Sequence, residues 1–126
     1  MLKPNDMQAI KISSFSHRDE DDNYLYHVTT VSNAKSILEN GFTNNNPMFR
    51  SDPYPKYSKG KAFFTERSGV KFWIYKVKEQ LEYNYHNPSR IAVIRIPKME
   101  MCVYDLRYDK LGSHDAESHA WYTIIL

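Results

Sequence analysis

Leu25-Tyr26-His27-Val28-Thr29-Thr30 runs into an apolar pattern at Ala34, Ile37 and Leu38 that stops at Gly41, and this stretch decides how the chain folds. Its aromatic and β-branched residues predict a short strand from Tyr24 to Val28. Thr30 or Ser32 then offers a side-chain oxygen to cap a helix. Ala34, Ile37 and Leu38 fall on one helical face, and Gly41 supplies the stop. Successive strand residues point to opposite faces, so His27 and Thr29, two apart, project together. Two polar groups at the end of an apolar strand are placed to bond a ligand.

Downstream, Lys61-Ala62-Phe63-Phe64-Thr65 reads as a short buried strand, and Thr65 or Ser68 as the cap of the next helix. Val70, Trp73, Ile74, Val77 and Leu81 recur at three- and four-residue spacing, which predicts a helix over 70–81. Between strand and helix pairs, residues 43–59 are Asn, Pro, Ser, Tyr and Lys without period, a loop long enough to bind or to close over a site. Asn84 to Ser89 reads as a turn around Pro88, and Ile91 to Ile96 as a buried strand closed by Pro97. Met101–Leu106 and His119–Leu126 read as two more strands, separated by a polar turn containing Gly112.

Upstream, residues 1–23 form a polar arm that ends in Arg18-Asp19-Glu20-Asp21-Asp22-Asn23. Within it Ile10-Lys11-Ile12 alternates and could add an edge strand. The expectation is therefore an arm over 1–23 and one domain over 24–126, of the α+β class with mixed or antiparallel pairing.

Composition narrows the function classes. A chain of 126 residues holds one domain with a modest core. Aromatic residues, 14% of the chain, suit either a ring-stacking site or an aromatic core. The formal charge of +2 is too small for a dedicated duplex binder. The lysines from 56 to 61 and from 71 to 78 are interrupted by aromatics and read as solvated faces. A single cysteine, Cys102, excludes an internal disulfide and fits a reducing compartment or a disulfide-independent toxin fragment. Residues 1–10 carry neither a long apolar run nor a basic leader, so no signal peptide is expected, and nothing reaches the apolar length of a membrane span.

The blocks around His27 and Phe63 resemble those of the ADP-ribosyltransferase superfamily, in the diphtheria-toxin and poly(ADP-ribose) polymerase branch. There a strand carries His-Gly-Ser/Thr before a helix ending in Gly plus an apolar residue, as Leu25 to Thr29 and Gly41-Phe42 do here. A second block, Gly-x-Tyr-Phe-Ala/Thr before a helix, is matched by Lys61 to Thr65. A third, a glutamate opening a late strand, is matched by Glu117. The resemblance spans residues 24–126 and implies a mixed or antiparallel split β-sheet with two main helices.

It also implies a chemistry. Cleaving the glycosidic bond of NAD leaves an oxocarbenium-like ribose, which a nearby carboxylate stabilises. By the resemblance Glu117 would be catalytic, holding a ribose hydroxyl and orienting the acceptor. His27 would hold the adenosine ribose, Thr29 would bond the nicotinamide amide, and Phe63 would stack on its ring. By location Arg50 or Arg67 would meet the pyrophosphate, since arginine suits paired phosphate oxygens. The implied protein is a toxin or effector domain, or a phage or defence-system enzyme, that takes NAD as co-substrate and transfers ADP-ribose to a protein or nucleic acid, or hydrolyses NAD as a glycohydrolase. It would act in a cytoplasm, its own or a target cell's, with an immunity protein or antitoxin as a possible partner and no membrane. Two positions depart from the pattern: Phe63 lacks the tyrosine hydroxyl, and Val28 replaces glycine.

Three other readings compete. The substitutions at Phe63 and Val28 fit a non-catalytic binding module on the same scaffold, presenting Tyr54 and Tyr57 from the long loop. If His114 to His119 were extended, Asp115, Glu117 and His119 would share a strand face and could collect a divalent metal. His114 and His119 with Lys110 could instead serve acid–base cleavage of RNA by a small nuclease toxin. The four glycines are scattered, so no phosphate-cradling loop is present in the sequence.

Overall fold

The stretch around His27 forms strand β2 (Tyr24–Thr30), with β1 (Gln8–Ile10) before it in the chain. Thr30 caps helix α1 (Val31–Asn40), its Oγ1 accepting a hydrogen bond from the Asn33 amide at 3.2 Å. Ala34 and Ile37 are buried, as their spacing predicts, and Leu38 packs beside them. Gly41 ends the helix at φ 76°, and its amide donates to the Ile37 carbonyl at 2.8 Å. A positive φ there favours glycine, which has no Cβ to clash. The computed structural model describes residues 3–10, 23–42, 60–85 and 91–125, with the side chains of 80–85 outside the description.

Beyond α1 lie β3 (Lys61–Thr65), a 3-10 turn (Arg67–Gly69) and α2 (Val70–Tyr85). Then come β4 (Ile91–Pro97), a second 3-10 turn (Lys98–Val103), β5 (Arg107–Tyr108), α3 (Lys110–Ala116) and β6 (Ala120–Ile124). The chain is α+β. Its strands form one six-stranded sheet in the order β1-β4-β2-β3-β6-β5, every neighbouring pair antiparallel.

Strand alternation divides the core. On one face Leu25, Phe64, Ile94 and Ile96 pack with Ala34 and Ile37 of α1, and Phe42 and Met101 close the cluster. On the other face Tyr26 and Val93 pack under Val70 of α2, with Val28 and Ile74 at the margin. Each large apolar side chain fully buried this way contributes roughly 1.5–3 kcal/mol, so the two faces hold the sheet from both sides.

Several expectations give way. Met101–Leu106 is not a strand: Met101 to Val103 complete the second 3-10 turn, which buries Met101 and bonds the Tyr104 amide to its carbonyl at 3.0 Å. The polar turn containing Gly112 is helix α3, capped by Asp109, whose Oδ1 accepts from the Gly112 amide at 2.9 Å. Helix α2 runs past Leu81 to Tyr85, so Asn84 and Tyr85, expected in the turn around Pro88, are helical, and residues 86–90 lie outside the described residues. Neither Thr65 nor Ser68 caps a helix: the Thr65 hydroxyl donates to the Glu66 carbonyl at 3.0 Å, and the Ser68 hydroxyl pairs with Ser118. The polar 1–23 stretch contributes β1, which pairs with β4, and Pro4 is fully buried, so the folded unit begins before Tyr24. Lys11 and Ile12 lie outside the described residues.

Candidate functional site

Strands β2 and β3 meet at one register pair, Tyr26 with Thr65. On its other side β2 is zipped to β4 along its whole length, from Tyr24–Pro97 to Thr30–Ile91. β3 is likewise zipped to β6 from Lys61–Ile124 to Thr65–Ala120. The sheet is therefore two ladders joined at a seam.

His27 bridges that seam with its side chain. Its Nδ1 lies 2.6 Å from the Phe63 carbonyl oxygen. The ring is wedged against Phe42, edge-on at 4.8 Å between centroids, and against Phe64 at 5.8 Å. Burial lowers its pKa from 6.5 to about 4, against the opposing pull of the Phe63 hydrogen bond. The ring is thus neutral at pH 7. A carbonyl only accepts, so Nδ1 carries the proton and donates, which leaves Nε2 as a bare acceptor.

Thr29 stands on the same face as His27 and is buried, as period two predicts. Phe63 is brought to His27 through its carbonyl, not its ring. By alternation its ring falls on the opposite face, 6.2 Å from the ring of its register partner Tyr122. Lys61 Nζ lies 4.5 Å above the Tyr122 ring on that side. Arg67 lies on that side too, its guanidinium 5.5 Å over the Tyr26 ring.

Glu117 does not open β6. It closes α3 as the capping residue, exposed and left-handed at φ 50° and ψ 38°, three residues before Ala120. The segment after it lies against the start of the α2 unit. Ser118 Oγ is 2.6 Å from Ser68 Oγ, and the Glu66 amide donates to the His119 carbonyl at 3.1 Å. Arg67 and Glu117 are therefore each one residue from the same serine pair. His27 and Thr29 form one group at the seam, and Arg67 and Glu117 a second group at the end of the β3–β6 ladder.

Arg50, Tyr54, Tyr57 and the 43–59 loop lie outside the described residues. Asp115 sits in α3, so Asp115, Glu117 and His119 do not alternate along a strand, and the helix is what overturns that arrangement. Among the described residues no group of three His, Cys, Asp or Glu could hold a metal ion. Lys110 and His114 both lie on α3, while the exposed His119 ring sits against Tyr108 at 6.0 Å and Trp121 at 6.2 Å. Among the described residues no helix is long and apolar enough to cross a membrane.

Sequence reasoning missed the serine pair and Ser113, which is buried and bonded to Ala120. Serine at such positions carries no pattern, and the contacting partners are distant in sequence. Comparison with protein-family models, with curated proteins and with solved structures finds no match.

Proposed function

We propose that the chain is an NAD-dependent mono-ADP-ribosyltransferase of the toxin or effector kind. It would move ADP-ribose from NAD to a protein or nucleic-acid acceptor and release nicotinamide, with water as an alternative acceptor. In this reading it acts in its own or a target cell's cytoplasm, with an immunity protein or antitoxin as companion. The observation that carries the reading is the β2–β3 seam, parted beyond one residue pair and bridged by a neutral His27.

The chemistry then follows from the chain's own groups. His27 is locked in one tautomer by the Phe63 carbonyl, so Nε2 accepts a hydrogen bond from a ribose hydroxyl. Being neutral, it does so without repelling a cationic nicotinamide ring. Thr29 offers a hydroxyl on the same face. Arg67, on the opposite face at the end of the β3–β6 ladder, would meet the pyrophosphate where the dinucleotide passes that edge. Glu117 presents a carboxylate that stabilises positive charge developing on the ribose.

Incubation with NAD and assay of free nicotinamide tests this. Glu117→Gln should lower release by about a hundredfold or more, and His27→Ala should raise the KM for NAD. Absence of both nicotinamide release and NAD binding by calorimetry would overturn the reading.

A non-catalytic binding module on the same scaffold is the second reading. It is favoured by the Phe63 ring, which lacks a hydroxyl and lies on the opposite face from His27. NAD binding without turnover would select it, whereas RNA cleavage in the absence of NAD would select the nuclease instead.

A further inference from the structure

The turn that carries Glu117 is held from two sides. Glu117 occupies the left-handed position at the end of α3, φ 50°, which glycine or asparagine ordinarily fills. From the helix side, the buried Ser113 hydroxyl accepts from the Ala120 amide at 2.8 Å and donates to the Ala120 carbonyl at 3.3 Å. Its own carbonyl accepts from the Ser118 amide at 3.2 Å, and the Glu117 amide donates to His114 at 3.3 Å. From the sheet side, Ser118 Oγ pairs with Ser68 Oγ at 2.6 Å. Gly69 backs this contact closely: a Cβ there would meet Ser118 Cβ and Oγ at 3.2 Å and Thr65 Oγ1 at 2.2 Å.

We propose that Ser113 and Ser118 are positioning residues for the Glu117 carboxylate, Ser113 from α3 and Ser118, through Ser68, from the end of β3. The kinetic half of this inference rests on the transferase reading, while the structural half rests on the turn's geometry alone. Ser113 fixes where β6 begins, and the serine pair fixes how far the turn stands from the Arg67–Gly69 segment. Between them Glu117 has one main-chain conformation, which fixes the direction of its Cα–Cβ bond and so narrows the region its carboxylate can reach. Releasing either anchor spreads that carboxylate over several positions and lowers the fraction that is productive.

Two measurements on Ser118→Ala, Ser118→Thr and Ser113→Ala decide it. Amide hydrogen exchange over 117–119 should accelerate about tenfold in Ser118→Ala, with the melting temperature unchanged because the serine pair is exposed. Nicotinamide release should show kcat lowered between about tenfold and a hundredfold with KM for NAD within twofold, and Ser118→Thr should restore it. Ser113→Ala should show the same kinetic split with some loss of stability, since it strands the Ala120 amide. Unchanged exchange in Ser118→Ala, or a kcat equal to that of the parent protein, overturns the proposal. Parent protein that releases no nicotinamide overturns the transferase reading instead, and the exchange measurement still decides the positioning.

Discussion

At the scale of single residues, His27 and Glu117 are each held in a state that an unconstrained side chain or backbone would avoid. His27 has a folded pKa of about 4 against 6.5 when unfolded. Above pH 6.5 both states are neutral and the ring contributes no pH dependence. As pH falls toward 4, the unfolded chain takes up a proton that the folded chain refuses, so stability drops, by on the order of 3 kcal/mol in full. Denaturant midpoints between pH 7 and pH 4 should therefore fall more steeply for the parent than for His27→Gln, and parallel curves would mean that His27 is not held neutral. Glu117 presents the opposite trade. A left-handed residue with a side chain costs about 1 kcal/mol more than glycine, and exposed Glu117 has little packing to lose. Glu117→Gly should thus raise stability by about 1 kcal/mol while removing nicotinamide release. Thermal melts and the release assay, run on one preparation, check both halves.

At the scale of elements, what the sequence disclosed depended on whether the cause was local. Helix α1 has its cap, its period and its terminal glycine in consecutive residues, and all three appear as expected. β2, β3 and β4 are legible for the same reason, and so is the shared face of His27 and Thr29. Helix α3 is not, because Lys-Leu-Gly-Ser-His-Asp-Ala holds mostly weak helix formers. It forms because Asp109 caps it and Ser113 ties it to Ala120. Met101 to Leu106 misleads differently: Met101 and Tyr104, three apart, serve a 3-10 turn as well as alternation serves a strand. The face taken by the Phe63 ring and the Ser68–Ser118 contact were illegible, since both depend on pairing across distant segments. Gly112→Ala tests which cause governs α3. Propensity alone predicts a gain of about 1 kcal/mol. The added Cβ, however, would meet Asp109 Oδ2 at 2.2 Å and Trp73 Cζ2 at 3.1 Å, and Asp109 is buried and bound to the Gly112 amide. Sterics should win, with a loss of roughly 1–3 kcal/mol. A rise in melting temperature would show that Asp109 gives way freely.

At the scale of the molecule, the sheet is two three-stranded ladders, β1-β4-β2 and β3-β6-β5, that share a core. Phe42 and Phe64 pack edge-to-face at 5.1 Å, each also against the His27 ring, and the cluster continues to Ile94 on one ladder and Ile125 on the other. Apolar burial thus adds to the Tyr26–Thr65 pair and the His27–Phe63 hydrogen bond in joining the halves. Burial is non-directional, so the separation at the seam is set by the Tyr26–Thr65 pair and the His27–Phe63 bond, whereas hydrogen bonds along their length fix each ladder internally. The seam is then a weaker line than the β2–β4 and β3–β6 ladders that flank it. Of the β2 amides, those directed at β4 should exchange more slowly than those directed at the β2–β3 seam. A dinucleotide bonded to His27 on one ladder and to groups beside β3 on the other would span that line. On the transferase reading, saturating NAD should therefore slow exchange at the seam selectively, leaving the β2–β4 ladder unchanged. Uniform protection in the free protein would mean that the ladders are joined more firmly than one residue pair implies. Uniform slowing on adding NAD would place the ligand elsewhere, because only a seam ligand couples the two halves while adding nothing within either.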